Sequence, residues 1–231
     1  MERITTRLLA VSRTAIAVIA LISLSVTLTL QAHPRRKKPP KNGAAFSYYV
    51  LVLSYAPDFC AQPSGDKDAR ECGAGRHVGF VVHGLWPQGE TTRGPENCGS
   101  ASPVSQDIIA ATLSYIPTES LIQHEWKAHG SCSGLTAQDY FTLVRKARDS
   151  VKIPEDLNQP SEQKQLNPAD FVSKFAGANP GFGKESFRIS CYPSQELQEM
   201  RICLNKDLSP RACGSSAGQC NADSVTMRSV R

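Results

Sequence analysis

Within nine positions, HEWKAHGSC (124–132) carries two histidines, a glutamate, a tryptophan, a lysine and a cysteine. It falls one residue away from the zinc-hydrolase signature HExxH. A helix turns about 100° per residue, so histidines four apart differ by about 40° and can share a metal. His124 and His129 are five apart and differ by about 140° on a regular helix. A zinc site would need the helix to end or bulge between them, and Gly130 does offer an end. The same residues also suit proton transfer without a metal. Imidazole, with a reference pKa of about 6.5, is the side chain most readily found in either protonation state near neutrality. A third histidine, His83, closes the strand-like part of FVVHGLWPQ (80–88), just before a Gly-Leu-Trp-Pro turn where a scaffold can deliver a reactive group to a cleft. One neutral and one protonated histidine on opposite sides of an RNA phosphodiester form a base–acid pair. The ribose 2′-hydroxyl is a built-in nucleophile. The chemistry then asks for a proton taken from the 2′-oxygen, one given to the 5′-oxygen, and stabilised charge on the phosphoryl oxygens. His83, His124, Glu125 and His129 can supply these.

Strands and helices must position those groups. FSYYVLVLSY (46–55) is aromatic and β-branched and stops near Pro57, which predicts a buried strand. HVGFVVHG (77–84) predicts a second strand. Pro103 precedes VSQDIIAATLSYI (104–116), whose apolar residues fall at helical spacing up to Pro117. ESLIQHEWKAH (119–129) is also helical in period, with Gly130 as its C-cap. Thr136 and Asp139 form a capping box ahead of YFTLVRKARDSV (140–151), and Asn167-Pro168 starts PADFVSKFAG (168–177). ESFRISCY (185–192) and QEMRICLN (198–205) predict late strands. Residues 150–167 and the tail after Cys220 read as loop. Strands early and late with helices between indicate an α+β domain. No internal repeat is visible.

A chain of 231 residues is ample for one domain and marginal for two. Arg3, Arg7 and Arg13 precede an uncharged run from Thr14 to Leu30, then Ala32, the pattern of a secretory signal peptide cut after Ala32. An uncleaved anchor is the alternative, although 17 residues fall short of the ~20 that span a bilayer. The formal charge of +5 misleads, because residues 1–41 hold eight Lys/Arg and one acid, leaving 18 basic against 20 acidic residues. The rest of the chain therefore presents no general basic field to a polyanion. PRRKKPPK, within residues 33–45, reads as a solvated linker. The eight cysteines, Cys60, Cys72, Cys98, Cys132, Cys191, Cys203, Cys213 and Cys220, argue for four disulfides in an oxidising compartment. With no CxxC, zinc-ribbon and thioredoxin-like readings lose their usual signature. His77 reads as surface or structural, Tyr48-Tyr49 as core, and Arg145, Lys146 and Arg148 as a solvated helix face.

FVVHGLWPQ together with HEWKAHGSC resembles the two active-site segments of the ribonuclease T2 family, whose bacterial members include periplasmic ribonuclease I. YVLVLSYAPDFC resembles the family's opening strand and first cysteine, so the likeness runs over roughly residues 46–220. It implies an α+β fold with an antiparallel sheet and a catalytic domain over 46–220, which leaves the signal peptide over 1–32 and a C-terminal tail over 221–231 outside it. It implies an exported, periplasmic or secreted, monomeric endoribonuclease. That enzyme would act on RNA and not DNA, need no metal or other cofactor, and keep no stable membrane association once the signal is cleaved. RNA would be cleaved to a 2′,3′-cyclic phosphate and then hydrolysed to a 3′-phosphate. By the same resemblance His83 is the general acid, His129 the general base, and His124 a phosphate ligand, while Glu125 stabilises the phosphoryl oxygens. Trp86 helps form a base-stacking pocket, where a stacked base is worth ~1–3 kcal/mol. The implied disulfides are Cys60–Cys72, Cys98–Cys132, Cys191–Cys220 and Cys203–Cys213. The sequence departs from the family in three places. Ala128 stands where relatives carry lysine, with Lys127 one position earlier as a candidate substrate contact. Gln88 stands where some carry an acid, and Tyr55-Ala56-Pro57 replaces a Trp-Pro-like segment. These departures bear on rate and base preference. A zinc hydrolase using His124, Glu125 and His129, and a non-catalytic RNA- or partner-binding descendant of the same scaffold, are the competing readings.

Overall fold

Strand β1 (Tyr48–Tyr55) is buried along almost its whole length, and its two faces pack against different partners. The computed structural model describes residues 45–63, 69–73, 75 and 77–230. The segments read above as signal peptide and linker lie outside them, Ala45 apart. β1 sits inside a four-stranded antiparallel sheet between β2 (Phe80–Gln88) and β5 (Leu197–Leu204), with β4 (Phe187–Cys191) at the far edge. Side chains alternate across a strand. Tyr49, Leu51, Leu53 and Tyr55 therefore join Val82, Leu85, Met200 and Ile202 in the main core. Tyr48, Val50 and Val52 pack on the opposite face with Cys203, Ala217 and Trp86. Each fully buried leucine here contributes about 1.5–3 kcal/mol of hydrophobic stabilisation.

Four of the helices follow sequence signals. They are α3 (Gln106–Thr112), α4 (Glu119–Ala128), α5 (Ala137–Asp149) and α7 (Pro168–Ala178). The hydroxyls of Thr118 and Thr136 and the amide oxygen of Asn167 accept from the backbone N–H three residues on, at 3.0–3.1 Å. These caps satisfy donors that would otherwise be orphaned. Their apolar stripes cover the core face of the sheet through Ile109, Ile122, Tyr140, Phe141, Val144, Phe171 and Phe175.

Several expectations are corrected. The Gly-Leu-Trp-Pro segment is no turn, because β2 runs on to Gln88, paired with β1 throughout. Residues 77–79 precede that strand. The helix expected over 104–116 is only Gln106–Thr112 long. Gly130 does not cap α4: His129 does, at φ −119°, and Gly130 opens a 3₁₀ turn, Gly130–Cys132. Gly130 must be small because a Cβ there would strike the Trp126 ring and lie 2.9 Å from Tyr140. Short helices α1 (Ala56–Cys60) and α2 (Ala69–Cys72) follow β1. The supposed loop 150–167 contains α6 (Glu155–Asn158) and β3 (Lys164–Leu166), and the supposed loop after Cys220 contains β6 (Val225–Met227). β3 and β6 form a separate antiparallel pair, and Val225 and Met227 are fully buried. Three residues show no periodicity, so such strands are visible only through their partner.

All eight cysteines are bonded, as Cys60–Cys72, Cys98–Cys132, Cys191–Cys220 and Cys203–Cys213. Cys98–Cys132 closes a separation of 34 residues and ties the loop after β2 to the end of α4, where Asn97 N–H also donates to the Ala128 carbonyl at 2.8 Å. Loop-closure entropy makes this bond worth about 3–4 kcal/mol. Replacing both cysteines with serine should lower the urea-unfolding free energy by that order. A loss below about 1 kcal/mol would show that other contacts hold the loop.

Candidate active site

The sheet face turned away from the main core collects the chemistry, with α4 reaching it beside β2. β1 and β2 pair in register from Tyr48↔Gln88 to Val52↔Gly84, then resume at Leu53↔Val82, leaving His83 as the extra residue of a β-bulge. Strict alternation would put Val82 and Trp86 on one face and His83 with Leu85 on the other. The bulge resets the phase. Val82 and Leu85 both enter the core, while the His83 ring meets Ser54, Trp86 and two carboxylates on the other face.

From above, α4 brings His124, Glu125 and its capping residue His129. On a helical wheel these and Ala128 lie within an arc of about 140°, in the order His124, Ala128, Glu125, His129. The five-residue step thus spreads two imidazoles across one face with a carboxyl group between them. Glu125 is fully buried, and it can descend onto β2 because Gly84 has no side chain. A Cβ on Gly84 would collide with Glu125 Oε2 and lie 2.7 Å from Trp86 Nε1. Trp86 Nε1–H donates to Glu125 Oε2 at 2.8 Å, and the Trp86 ring stacks on His129 at 4.9 Å between centroids. Glu125 Oε1 lies 3.5 Å from His83 Nε2, and the His124 and His129 rings are 6.5 Å apart. Glu125 Oε1 and His129 Nδ1 are buried without a hydrogen-bond partner in the protein. Lys127 is exposed and Ala128 is buried. Gln88 accepts from Gly94 N–H at 3.1 Å and so holds the loop after β2, and His77 is exposed, away from the cluster.

The two central histidines are poised in opposite directions. Burial, reinforced by the nearby charges of His124 and His83, pushes His129 down to about 4, so its imidazole is neutral. Burial works the same way on His83. There it is outweighed by a hydrogen bond to Glu199 and by the charges of Glu125 and Glu199, so His83 stays protonated above the ordinary 6.5. Burial also lifts Glu125 to about 7, against the pull of His83 and the Trp86 hydrogen bond. Over mildly acidic conditions the site therefore holds a neutral imidazole, an imidazolium and a carboxyl group able to carry its proton. A protonated Glu125 can donate to an anionic oxygen, where a carboxylate would repel it.

Sequence reasoning missed Glu199 and Arg201. Glu199 is buried and meets His83 Nδ1 at 2.9 Å. Arg201 bonds Glu199 Oε2 through Nε and Nη2 and lies over the Trp86 ring at 5.6 Å. In QEMRICLN both read as ordinary solvent-facing positions of an alternating strand. Among the described residues, no group of three or more His, Cys, Asp or Glu is arranged to hold a metal ion.

Comparison with known proteins places the chain and its fold. The sequence model of the Ribonuclease T2 family matches residues 46–213. A protein of Aeromonas hydrophila described as a ribonuclease is 34% identical over 174 residues, which is 70% of this chain and 73% of that protein. A probable ribonuclease of Haemophilus influenzae is 36% identical over 141 residues, 54% of this chain, so the chain spans about half (52%) of that relative's length. Among solved structures, trichomaglin, reported as an S-like ribonuclease, superposes with a TM-score of 0.62 at 20% identity, covering 81% of this chain and all (100%) of that one. A mutant of RNase MC1 in complex with 5′-UMP superposes with a TM-score of 0.59 at 19% identity, covering 79% of this chain and 98% of that one. Such identities speak to the fold alone.

Proposed function

We infer the function of this chain from its membership of the ribonuclease T2 family: it is an endoribonuclease of the T2 type. The finer reading is an exported, monomeric, metal-independent enzyme that cleaves single-stranded RNA by transesterification. In the first step neutral His129 takes the 2′-hydroxyl proton, and the 2′-oxygen attacks phosphorus. The P–O5′ bond breaks, and protonated His83 delivers its proton to the departing 5′-oxygen. The product is a 2′,3′-cyclic phosphate. In the second step water attacks phosphorus, giving its proton to the now neutral His83, and the P–O2′ bond breaks as protonated His129 returns a proton to the 2′-oxygen. A 3′-phosphate results. His124 holds a phosphate oxygen, and Glu125 stabilises the charge that develops on the phosphoryl group. Trp86, half-buried with His129 stacked on it and Arg201 over its ring, would border the base pocket. Lys127 contributes at most a peripheral phosphate contact from its exposed helix flank.

The observation that carries this reading is the buried Glu125 carboxyl group set 3.5 Å from His83 Nε2 and bonded to the Trp86 ring that stacks on His129. Export is supported by the basic-then-apolar start and by four disulfides. No helix among the described residues is long and apolar enough to cross a membrane. Purified protein should degrade total RNA in excess EDTA and leave single-stranded DNA, which lacks the 2′-hydroxyl, intact. Activity lost to the chelator and restored by zinc would instead favour the zinc reading of His124, Glu125 and His129.

A further inference from the structure

We propose that Glu199 is a positioning residue for the catalytic acid, fixing His83 in the tautomer and ring orientation that present its Nε2 proton to the leaving oxygen, and that Arg201 holds Glu199 in place. The proposal rests on the assignment of His83 as the acid.

The two carboxylate oxygens of Glu199 have separate partners. Oε2 receives Arg201 Nε at 2.9 Å, Arg201 Nη2 at 2.8 Å and Ser190 Oγ at 3.3 Å. Oε1 is left for His83 Nδ1 at 2.9 Å. An ionised carboxylate only accepts, so Nδ1 must carry a hydrogen. Ser54 Oγ, 3.2 Å from the same nitrogen, is then an acceptor as well. With Nδ1 committed, the transferable proton sits on Nε2, the nitrogen that faces Glu125. After that proton leaves, the ring remains as the Nδ1–H tautomer with Nε2 free to take a proton from water, so the cycle closes while Glu199 binds no proton. Burial favours a neutral Glu199, but its bonds to His83 and the charges of His83 and Arg201 outweigh it and hold the carboxylate below its usual range. Arg201 is itself anchored, with Nη1 donating to the Ala217 carbonyl at 2.7 Å. A buried ion pair alone would be weak grounds for a role, because such pairs often add little stability. The oxygen that the pair leaves aimed at Nδ1 is what assigns one. The pairing Ser54↔Glu199 in the β1–β5 ladder sets that position.

The test compares RNA with a uridine 3′-(4-nitrophenyl phosphate), whose leaving group departs without a proton. Glu199→Gln should lower kcat on RNA by about 10²-fold, and the deficit should shrink at least about tenfold on the nitrophenyl ester, as it should for His83→Ala. The alkaline limb of the RNA pH profile, where His83 loses its proton, should move down by about one pH unit, because the carboxylate that favours imidazolium is gone. Glu199→Asp should keep the limb within a few tenths of a unit, by retaining the charge. Equal losses on both substrates with an unmoved limb would reduce Glu199 to a structural residue. If His83→Ala itself lost both substrates equally, the acid assignment would fail instead. Should Glu199→Gln not fold, ¹⁵N NMR of the wild-type His83 ring at alkaline pH decides: Nδ1–H is expected, and a bare Nδ1 overturns the proposal.

Discussion

His83→Ala and His129→Ala should each cost at least ~10²-fold in RNA cleavage, and the wild-type pH profile should separate their roles. His129 must be neutral to accept a proton, so activity should rise as pH climbs through about 4. His83 must be protonated to give one, so activity should fall as pH climbs past a value above 6.5. The result is a bell with its plateau in mildly acidic solution, reporting free-enzyme groups in kcat/KM and complexed groups in kcat. His124→Ala should shift the acidic limb upward as well as weaken binding, because the His124 charge helps hold His129 down. His77, exposed and away from the cluster, serves as the control, and His77→Ala should be close to silent. Near-normal turnover by folded His83→Ala would remove the acid assignment.

Gly84→Ala should reduce turnover by ~10²-fold while the protein stays folded, since misplacing a catalytic group by about 1 Å can cost that much. Gly84 does not have positive φ, so alanine suits its backbone, and the obstacle is space. The added methyl would meet the end of Glu125, a flexible chain that can yield, and the edge of the Trp86 ring, which must shift with it, at a stability cost of about 1–3 kcal/mol. What yields, however, is the carboxyl group between the two imidazoles and its hydrogen bond from Trp86. The substitution therefore separates catalytic from structural effects. Circular dichroism and thermal melting should show a native fold with a modestly lower Tm alongside collapsed kcat. Wild-type kcat in Gly84→Ala would mean that Glu125 need not occupy its observed place.

Much of the molecule is legible in order along the chain. The run YYVLVLSY can be little other than a buried strand, and the capping residues Thr118, Thr136 and Asn167 mark helix starts that the structure keeps. The helix-borne part of the site is legible for the same reason. His124, Glu125 and His129 are neighbours in sequence, and one helix with its capping residue spreads them over an arc of about 140°. Strand-borne parts depend on pairing, which local sequence does not encode. Glu199 lies 116 residues from His83, and only the order β2-β1-β5 brings the two together across one strand. The same holds for β6, whose three residues become a strand by meeting β3.

The candidate reacting groups, the α+β class and the demand for eight paired cysteines were thus legible in the sequence, because residue chemistry and short-range periodicity are local properties. Their protonation states and aim were decided only by tertiary structure. A bulge in β2 turns His83 to the site face, a missing side chain at Gly84 admits Glu125, and burial lowers His129 while Glu199 helps raise His83. Each of these is a relation between distant segments. Desolvation and charge proximity depend on what surrounds a group in space, and the residues beside it in the chain supply only part of that surrounding.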